Sequence, residues 1–302
     1  MGEPQLLNVS KKVNNSGGMC EEFTTTVPEI HVNTDNLAPY SKCIFHSNDP
    51  SSFWMKLSKI INKCASEQTQ LQHRLFRVHV GRFNETKVYL DYDEFMRNNA
   101  SKSCRSLTIG IGSDILAEKQ LLKRYSGCQL FGLDPKQNQG WMFVDVGTYI
   151  PYGLSVKGGL LNLTVRKPNG YYGVETVPTI TMPNLVERYI SRSPIHFAVL
   201  DIEGGEYKLL HQFQYGGPFS PDNGAPIFCQ IDVEFHGPPA KQLIISSTKF
   251  YEYLYNFVIQ SDFVPIFGVD HMKSKVHRKV TFLNTKAPVC VQMFGKTISG
   301  LQ

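Results

Sequence analysis

Residues Leu107 to Asp114 (LTIGIGSD) carry an apolar run into two glycines one residue apart, and a helical pattern, Ile115 to Tyr125, follows at once. A second apolar run, Gln129 to Leu133, then ends in Asp134. Strand, glycine turn, helix and acid-tipped strand is the opening of a doubly wound sheet, because a right-handed helical crossover returns the chain parallel to its first strand. Glycine lets the backbone approach a ligand closely, and the helix N-terminus offers free N–H groups. An acid about 20 residues further on can accept hydrogen bonds from ribose hydroxyls.

The rest of the chain continues the pattern. Met1 to about Ser47 is rich in Asn, Ser, Thr and Pro and reads as a polar tail, 1–47. Residues 48–103 read as an accessory region. Phe53, Trp54, Leu57, Ile60, Ile61 and Cys64 fall at helical spacing. Leu75 to Val80 and Lys87 to Tyr92 read as a strand pair turning at Asn84, with a short helix at Asp93 to Asn98. The main domain is expected over 104–302. Tyr149 to Ser155 is its third strand. Leu160 to Arg166 and Val177 to Met182 form an inserted hairpin that turns at Asn169 and Gly170. A helix at Pro183 to Ser191, a buried strand at Ile195 to Leu200 and a helix through Tyr207, Leu209, Leu210 and Phe213 follow. Ile227 to Val233 is a fifth strand and Phe250 to Ile259 a helix. Phe263 to Phe267 and Lys279 to Leu283 complete an antiparallel edge. The fold class is therefore α/β, with a mostly parallel sheet.

Composition narrows the function less than the pattern does. A net charge of +5 is too weak to argue for nucleic acid without a local patch. No apolar run reaches the roughly 18 residues a membrane span needs. The seven cysteines are scattered, odd in number and without a CxxC pair, which disfavours both a zinc site and a disulfide framework. Asn8, Asn14, Asn84, Asn99 and Asn162 each open an N-x-Ser/Thr triplet, a hint of a lumenal address. No entry signal is visible, which favours the cytoplasm, so the compartment stays open.

Ligands of open α/β sheets bind outside the carboxyl ends of the strands. Gly110 and Gly112, Asp134, Asp201 and Glu203, and Glu234 and His236 all stand at such ends. Ile115 occupies the place where a dinucleotide site needs its third glycine, which points to a smaller nucleoside such as S-adenosylmethionine (SAM). Asp201 is the site acid of its segment, and Glu203 or Glu206 is expected to cap the following helix. His236 reads equally as a structural histidine or a base. Asp201, Glu234 and His236 also have the ligand types for a divalent metal, though no metal is assigned from spacing.

The segments TIGIGSD (108–114), GLDP (132–135), GLS (153–155), LDIEGGE (200–206) and QIDVEFH (230–236) together resemble the FkbM-like methyltransferases over about Cys104 to Cys290. The resemblance implies a Rossmann-like class I methyltransferase fold with SAM as cofactor and, most often, O-methylation. By position, Gly110, Gly112 and Ser113 would cradle SAM, Asp134 would hold its ribose, Leu154 and Ser155 would lie near the adenine, and Asp201 near the methionine end. Ile109 stands where many class I enzymes carry an acid. Asp201, Glu234 and His236 are the catalytic candidates, and a small-molecule or glycan hydroxyl the expected acceptor. The rival readings are a catalytically silent module, a nucleic-acid methyltransferase using the basic tract His271 to Lys279, and a nicotinamide oxidoreductase. Amino-methylating enzymes that act on bases carry Asn/Asp-Pro-Pro-aromatic where this chain has Asp201, Ile202, Glu203 and Gly204. Ile115 counts against the oxidoreductase.

Overall fold

The structure, a computed structural model, describes residues 37–46, 48–80, 85–92, 103–167, 170–237, 246–271, 277–298 and 301. Everything below concerns the unit Val32–Gln302. The short helix expected at Asp93 to Asn98, the turn at Asn84, Asn169 and four of the five N-x-Ser/Thr asparagines lie outside the described residues.

A seven-stranded sheet forms the centre. Its strands are β3 (Ser103–Ile109), β4 (Gly127–Leu133), β5 (Thr148–Ile150), β9 (Ile195–Leu200), β10 (Phe228–His236), β11 (Phe263–His271) and β12 (His277–Asn284). The order is β11-β12-β10-β9-β3-β4-β5. Strands β3, β4, β5, β9 and β10 are parallel, and β12 runs antiparallel between β10 and β11. This is the expected Rossmann-like sheet with its antiparallel edge. The chain reverses between β3 and β9, so the tips of these two strands flank the switch point where such sheets bind ligands. β9 is apolar along nearly its whole length because both its faces are covered: Ile195, Phe197, Ala198 and Leu200 are fully buried.

Helix α3 (Leu116–Arg124) joins β3 to β4, with its start held by Asp114 Oδ1, which accepts from Leu116 N at 2.8 Å. The expected third strand splits in two. Pro151 has no N–H to give a ladder, so pairing with β4 stops at Ile150. Gly153–Leu154 (β6) then joins a separate three-stranded sheet, β6-β8-β7. Strands β7 (Gly159–Arg166) and β8 (Tyr172–Ile180) form the expected inserted hairpin. Helix α4 (Met182–Leu185) passes into a π turn, Val186–Ile190, which ends at Ser191 with φ +55°. A short helix α5 (Glu206–His211) follows β9, and α6 (Ser247–Ile259) and α7 (Pro288–Phe294) cover the sheet.

The accessory region is built into this core. Helix α1 (Pro39–Phe45) lies inside the stretch read as a polar tail, yet Tyr40, Ile44 and Phe45 are buried. Helix α2 (Phe53–Gln68) lies on β11 so closely that a Cβ on Gly268 would come within 2.8 Å of Ser58 Cα. Strand β1 (Leu75–Val80) pairs with β2 (Glu85–Leu90). The backbone of β2 is held by side chains of β10. Val88 N donates to Asp232 Oδ2 at 3.3 Å, Leu90 N to Gln230 Oε1 at 2.6 Å, and Gln230 Nε2 to Val88 O at 2.7 Å. This explains two polar residues on a strand buried along its whole length. Unpaired, each would cost about 1–3 kcal/mol.

The cysteines correct the sequence expectation. Cys43–Cys64, Cys104–Cys128 and Cys229–Cys290 are disulfides. They link α1 to α2, β3 to its neighbour β4, and β10 to α7. Partners 21, 24 and 61 residues apart leave no spacing signature, because three-dimensional neighbourhood decides the pairing. Among the described residues, no helix is long and apolar enough to cross a membrane.

Candidate active site at the strand tips

The glycine turn is a left-handed run. Gly110, Gly112 and Ser113 have φ of +88°, +63° and +68°. A Cβ on Gly110 would lie 1.8 Å from the Asp201 carbonyl oxygen, so glycine is required there by the tip of β9 as well as by φ. The two strand ends are joined where Asp201 N donates to Ile109 O at 3.0 Å.

Asp134 closes this loop. Its Oδ2 accepts from Ile111 N and Gly112 N, both at 3.2 Å, and its Oδ1 accepts from Lys136 N at 2.9 Å. Burial raises its pKa, and the three backbone N–H groups oppose that shift. A carboxylate offers about four acceptor positions, so one remains for a donor from outside. A ribose hydroxyl suits that position. Leu154 and Ser155 lie on and just after β6, and a Cβ on the adjacent Gly153 would be 3.8 Å from Pro135, next to Asp134. Ser155 Oγ is occupied within the small sheet: it donates to Thr179 Oγ1 at 2.8 Å and accepts from Gly158 N at 2.9 Å.

The second half of the site is a cluster of ionisable groups around the tips of β9 and β10. Asp201 and Glu203 follow β9; Glu234 and His236 end β10. Glu203 holds φ +54°. His236 Nε2 meets Glu203 Oε2 at 3.1 Å, and its Nδ1 pairs closely with the fully buried Glu206. The helix cap expected of Glu203 or Glu206 is therefore not made; Gly205 holds the cap position and both acids turn to His236. Burial opposes charge on His236, but the two carboxylates overcome it and hold its pKa up at about 11. His236 is thus an imidazolium near neutral pH, a poor base. The Asp201 pKa stands well above the usual carboxylate range, first because of burial and then because of Glu234 and Glu85, with Lys279 opposing.

Residues that the linear pattern did not single out complete the cluster. Strand β12 places His277 opposite His236 and Lys279 opposite Glu234. Lys279 Nζ lies 3.0 Å from Glu234 Oε2 and also pairs with Glu85 at the start of β2. Burial alone would lower the Lys279 pKa; Glu234, Glu85 and Asp201 raise it above its ordinary value. Behind Glu85, Lys87 Nζ donates to Glu118 Oε1 at 3.3 Å, and Thr108 Oγ1 donates to the same oxygen at 2.7 Å. In the sequence Lys279 is the end of a basic tract and the start of an expected edge strand, with no sign of a place in the site. Within that tract Arg278 and Lys279 are buried, and Arg278 faces Asp270 at 3.3 Å and Trp54 O at 3.3 Å. Lys273 and Lys275 lie outside the described residues.

Three sets of side chains at these tips bring their ligand atoms within 4.8 Å of one another: Asp201, Glu203 and His236; Glu85, Asp201 and Glu234; and Glu234, His236 and His277. The catalytic candidates Asp201, Glu234 and His236 are therefore neighbours, and Gly110 touches Asp201 through its backbone.

Comparison with known proteins gives one family. Residues 71–261 match the methyltransferase FkbM domain. The match starts within the accessory region, before the glycine turn. No curated protein matches the sequence. Among solved structures, the METTL16 methyltransferase domain is similar at 9% identity and a TM-score of 0.37, over 63% of this chain and 64% of that one, so the chain spans less than two thirds of that protein. TrmK of M. capricolum, solved with S-adenosylhomocysteine, is similar at 7% identity and a TM-score of 0.36, over 64% of this chain and 67% of that one. The fibrillarin pre-rRNA processing protein of Methanococcus jannaschii is similar at 7% identity and a TM-score of 0.39, over 69% and 81%.

Proposed function

The chain belongs to the FkbM family of SAM-dependent methyltransferases, and on that premise we propose that it methylates a hydroxyl of a small molecule or glycan. The observation that carries this reading is the contact between the two halves of the site. The cofactor-type loop, Gly110 to Ser113 with Asp134, abuts the acid cluster through Gly110 and Asp201. SAM supplies an activated methyl group on a sulfonium. The residues that would hold it are Gly110, Gly112, Ser113 and Asp134, with Leu154 and Ser155 beside them. Their task is to fix the geometry of two reactants, which can account for much of the rate enhancement.

A hydroxyl acceptor must lose a proton. Glu234 is the proposed base, since Lys279 fixes its carboxylate close to Asp201. His236, held as a cation between Glu203 and Glu206, orients the cluster instead. The acidic character of these tips suits a neutral acceptor. A polyphosphate backbone would meet Asp201, Glu203, Glu234 and Glu85, while Arg278 and Lys279 are engaged internally.

Incubation of the protein with methyl-labelled SAM and fractionated extract tests the reading. Label is expected in a small-molecule or glycan fraction and to survive nuclease treatment. Label released by nuclease would move the chain to nucleic-acid methylation, and SAM binding without transfer to any fraction would make it a silent module. Glu234→Gln is expected to lower turnover at least tenfold with SAM affinity within about threefold. Equal loss of both would reassign Glu234 to cofactor binding.

A further inference from the structure

We propose that Asn162 carries an N-linked glycan, attached in an oxidising compartment where the chain also forms its disulfides.

Of the five N-x-Ser/Thr triplets, Asn162-Leu163-Thr164 is the one whose asparagine lies inside the described residues. Asn162 is exposed, in the middle of β7. Among the described residues β7 pairs with β8 alone, so its other side is a sheet edge. Successive strand residues face opposite sides. Leu163 faces inward: a Cβ on Gly153 would lie 3.0 Å from its Cδ1. On β8, the inward Glu175 pairs with Lys136, and Val165 and Val177 on that same face are buried. Asn162 therefore faces outward, away from Lys136 and the neighbouring Asp134. Its amide oxygen accepts from Thr176 Oγ1 at 2.7 Å, a bond that a glycosylated amide keeps.

The outward face around Asn162 is apolar where a solvated hairpin is expected to be polar. Leu160 and Val174 are 72% and 65% exposed, and Tyr172 is exposed beside them. An edge strand with an uncovered apolar face is prone to pair with another chain. Asn162 stands opposite Thr176, which makes Val174 and Pro178 its diagonal neighbours, about 7–8 Å away. A glycan on Asn162 covers that patch and blocks the edge.

The disulfides give separate support. All six cysteines of the described residues pair off, joining three different parts of the fold. Such bonds persist in oxidising compartments and are rare in the cytosol, and N-glycosylation belongs to the same secretory route. The compartment left open by the sequence is assigned by two kinds of chemistry that share no residue. In the transfer, the Asn162 amide nitrogen attacks the anomeric carbon of a lipid-pyrophosphate-linked oligosaccharide. A C–N bond forms, the C–O bond to pyrophosphate breaks, and the nitrogen gives its proton to a base of the transferase.

The proposal is independent of methyl transfer, and its test needs no SAM. The full chain is purified from the cells that make it and digested with trypsin, which cuts after Lys157 and Arg166 and isolates Asn162 in peptide 158–166. That peptide is expected to carry a glycan that an amidase releases with conversion of Asn162 to Asp. In the same cells Thr164→Ala is expected to lose the glycan and Thr164→Ser to keep it, which separates recognition of the triplet from any effect on folding. In the denatured, unreduced chain a thiol reagent is expected to miss Cys43, Cys64, Cys104, Cys128, Cys229 and Cys290. An unmodified Asn162 in the native chain, a glycan that survives Thr164→Ala, or reaction of all six of those thiols overturns the proposal. An unmodified Asn162 in a chain that self-associates would give the β7 edge to a second copy instead.

Discussion

Lys279 sets the charge balance of the site. Its ammonium is buried between Glu85 and Glu234, with Asp201 beyond. Breaking a buried ion pair from one side leaves charge uncompensated, which costs about 3–5 kcal/mol. Lys279→Met is therefore expected to destabilise the fold by about that much in denaturant titration; a change within about 0.5 kcal/mol would mean that water or the remaining groups already screen the acids. Lys279 also shows what the sequence could not reveal. Gly110, Asp134, Asp201, Glu203, Glu234 and His236 were legible because each interrupts or ends an apolar run, where polarity is conspicuous. Glu85 and Lys279 enter through the docking of β2 and the register of β12, and neither is written in a linear pattern. The sequence marks Lys279 only as the start of an edge strand and one cation of a basic tract, and it does not single out Glu85.

At the level of elements, β9 combines a buried run with one ionisable exception. His196 Nδ1 accepts from Arg105 N at 2.8 Å. Burial first, and the Arg105 charge second, lower its pKa to about 4. The unfolded chain protonates this histidine below about pH 6.5, while the folded chain resists until about pH 4. Stability contributed by neutral His196 is therefore present above pH 6.5 and lost as pH falls towards 4. The expected loss is about 2 kcal/mol between pH 6.5 and pH 5. Chemical denaturation at the two values should show it in the wild type and not in His196→Gln; equal slopes in both would assign the acid sensitivity elsewhere. Element existence was well marked by periodicity: β1, β3, β4, β9 and β10 fall within a few residues of their expected places. Tyr149 to Ser155 misled, because reading it as one strand passes over Pro151, the ladder breaker at which the chain transfers from one sheet to another. The cysteines misled for a similar reason. Cys104 and Cys128 face each other in register on adjacent strands, but only the strand order makes them neighbours. Each such link stabilises by about 3–4 kcal/mol in the chain-entropy account, and disulfides of this kind persist in oxidising compartments.

For the whole molecule, the accessory region and the sheet fold as one body. Gln230 and Asp232 are buried polar residues satisfied by β2, Asn62 exchanges hydrogen bonds with Gly268, and Glu85 enters the site from the hairpin. A chain beginning at residue 104 is expected to lose cooperative thermal unfolding. A sharp transition at the full-length midpoint would instead show that residues 48–103 are an appended module. The central claim is narrower: Asp134 and the glycine turn form one hydrogen-bonded unit that receives SAM. Calorimetric titration of SAM into the wild type and into Asp134→Ala tests it most directly. Saturable one-to-one binding is predicted for the wild type, with at least a hundredfold loss in a folded Asp134→Ala; unchanged affinity in that variant would contradict the assignment.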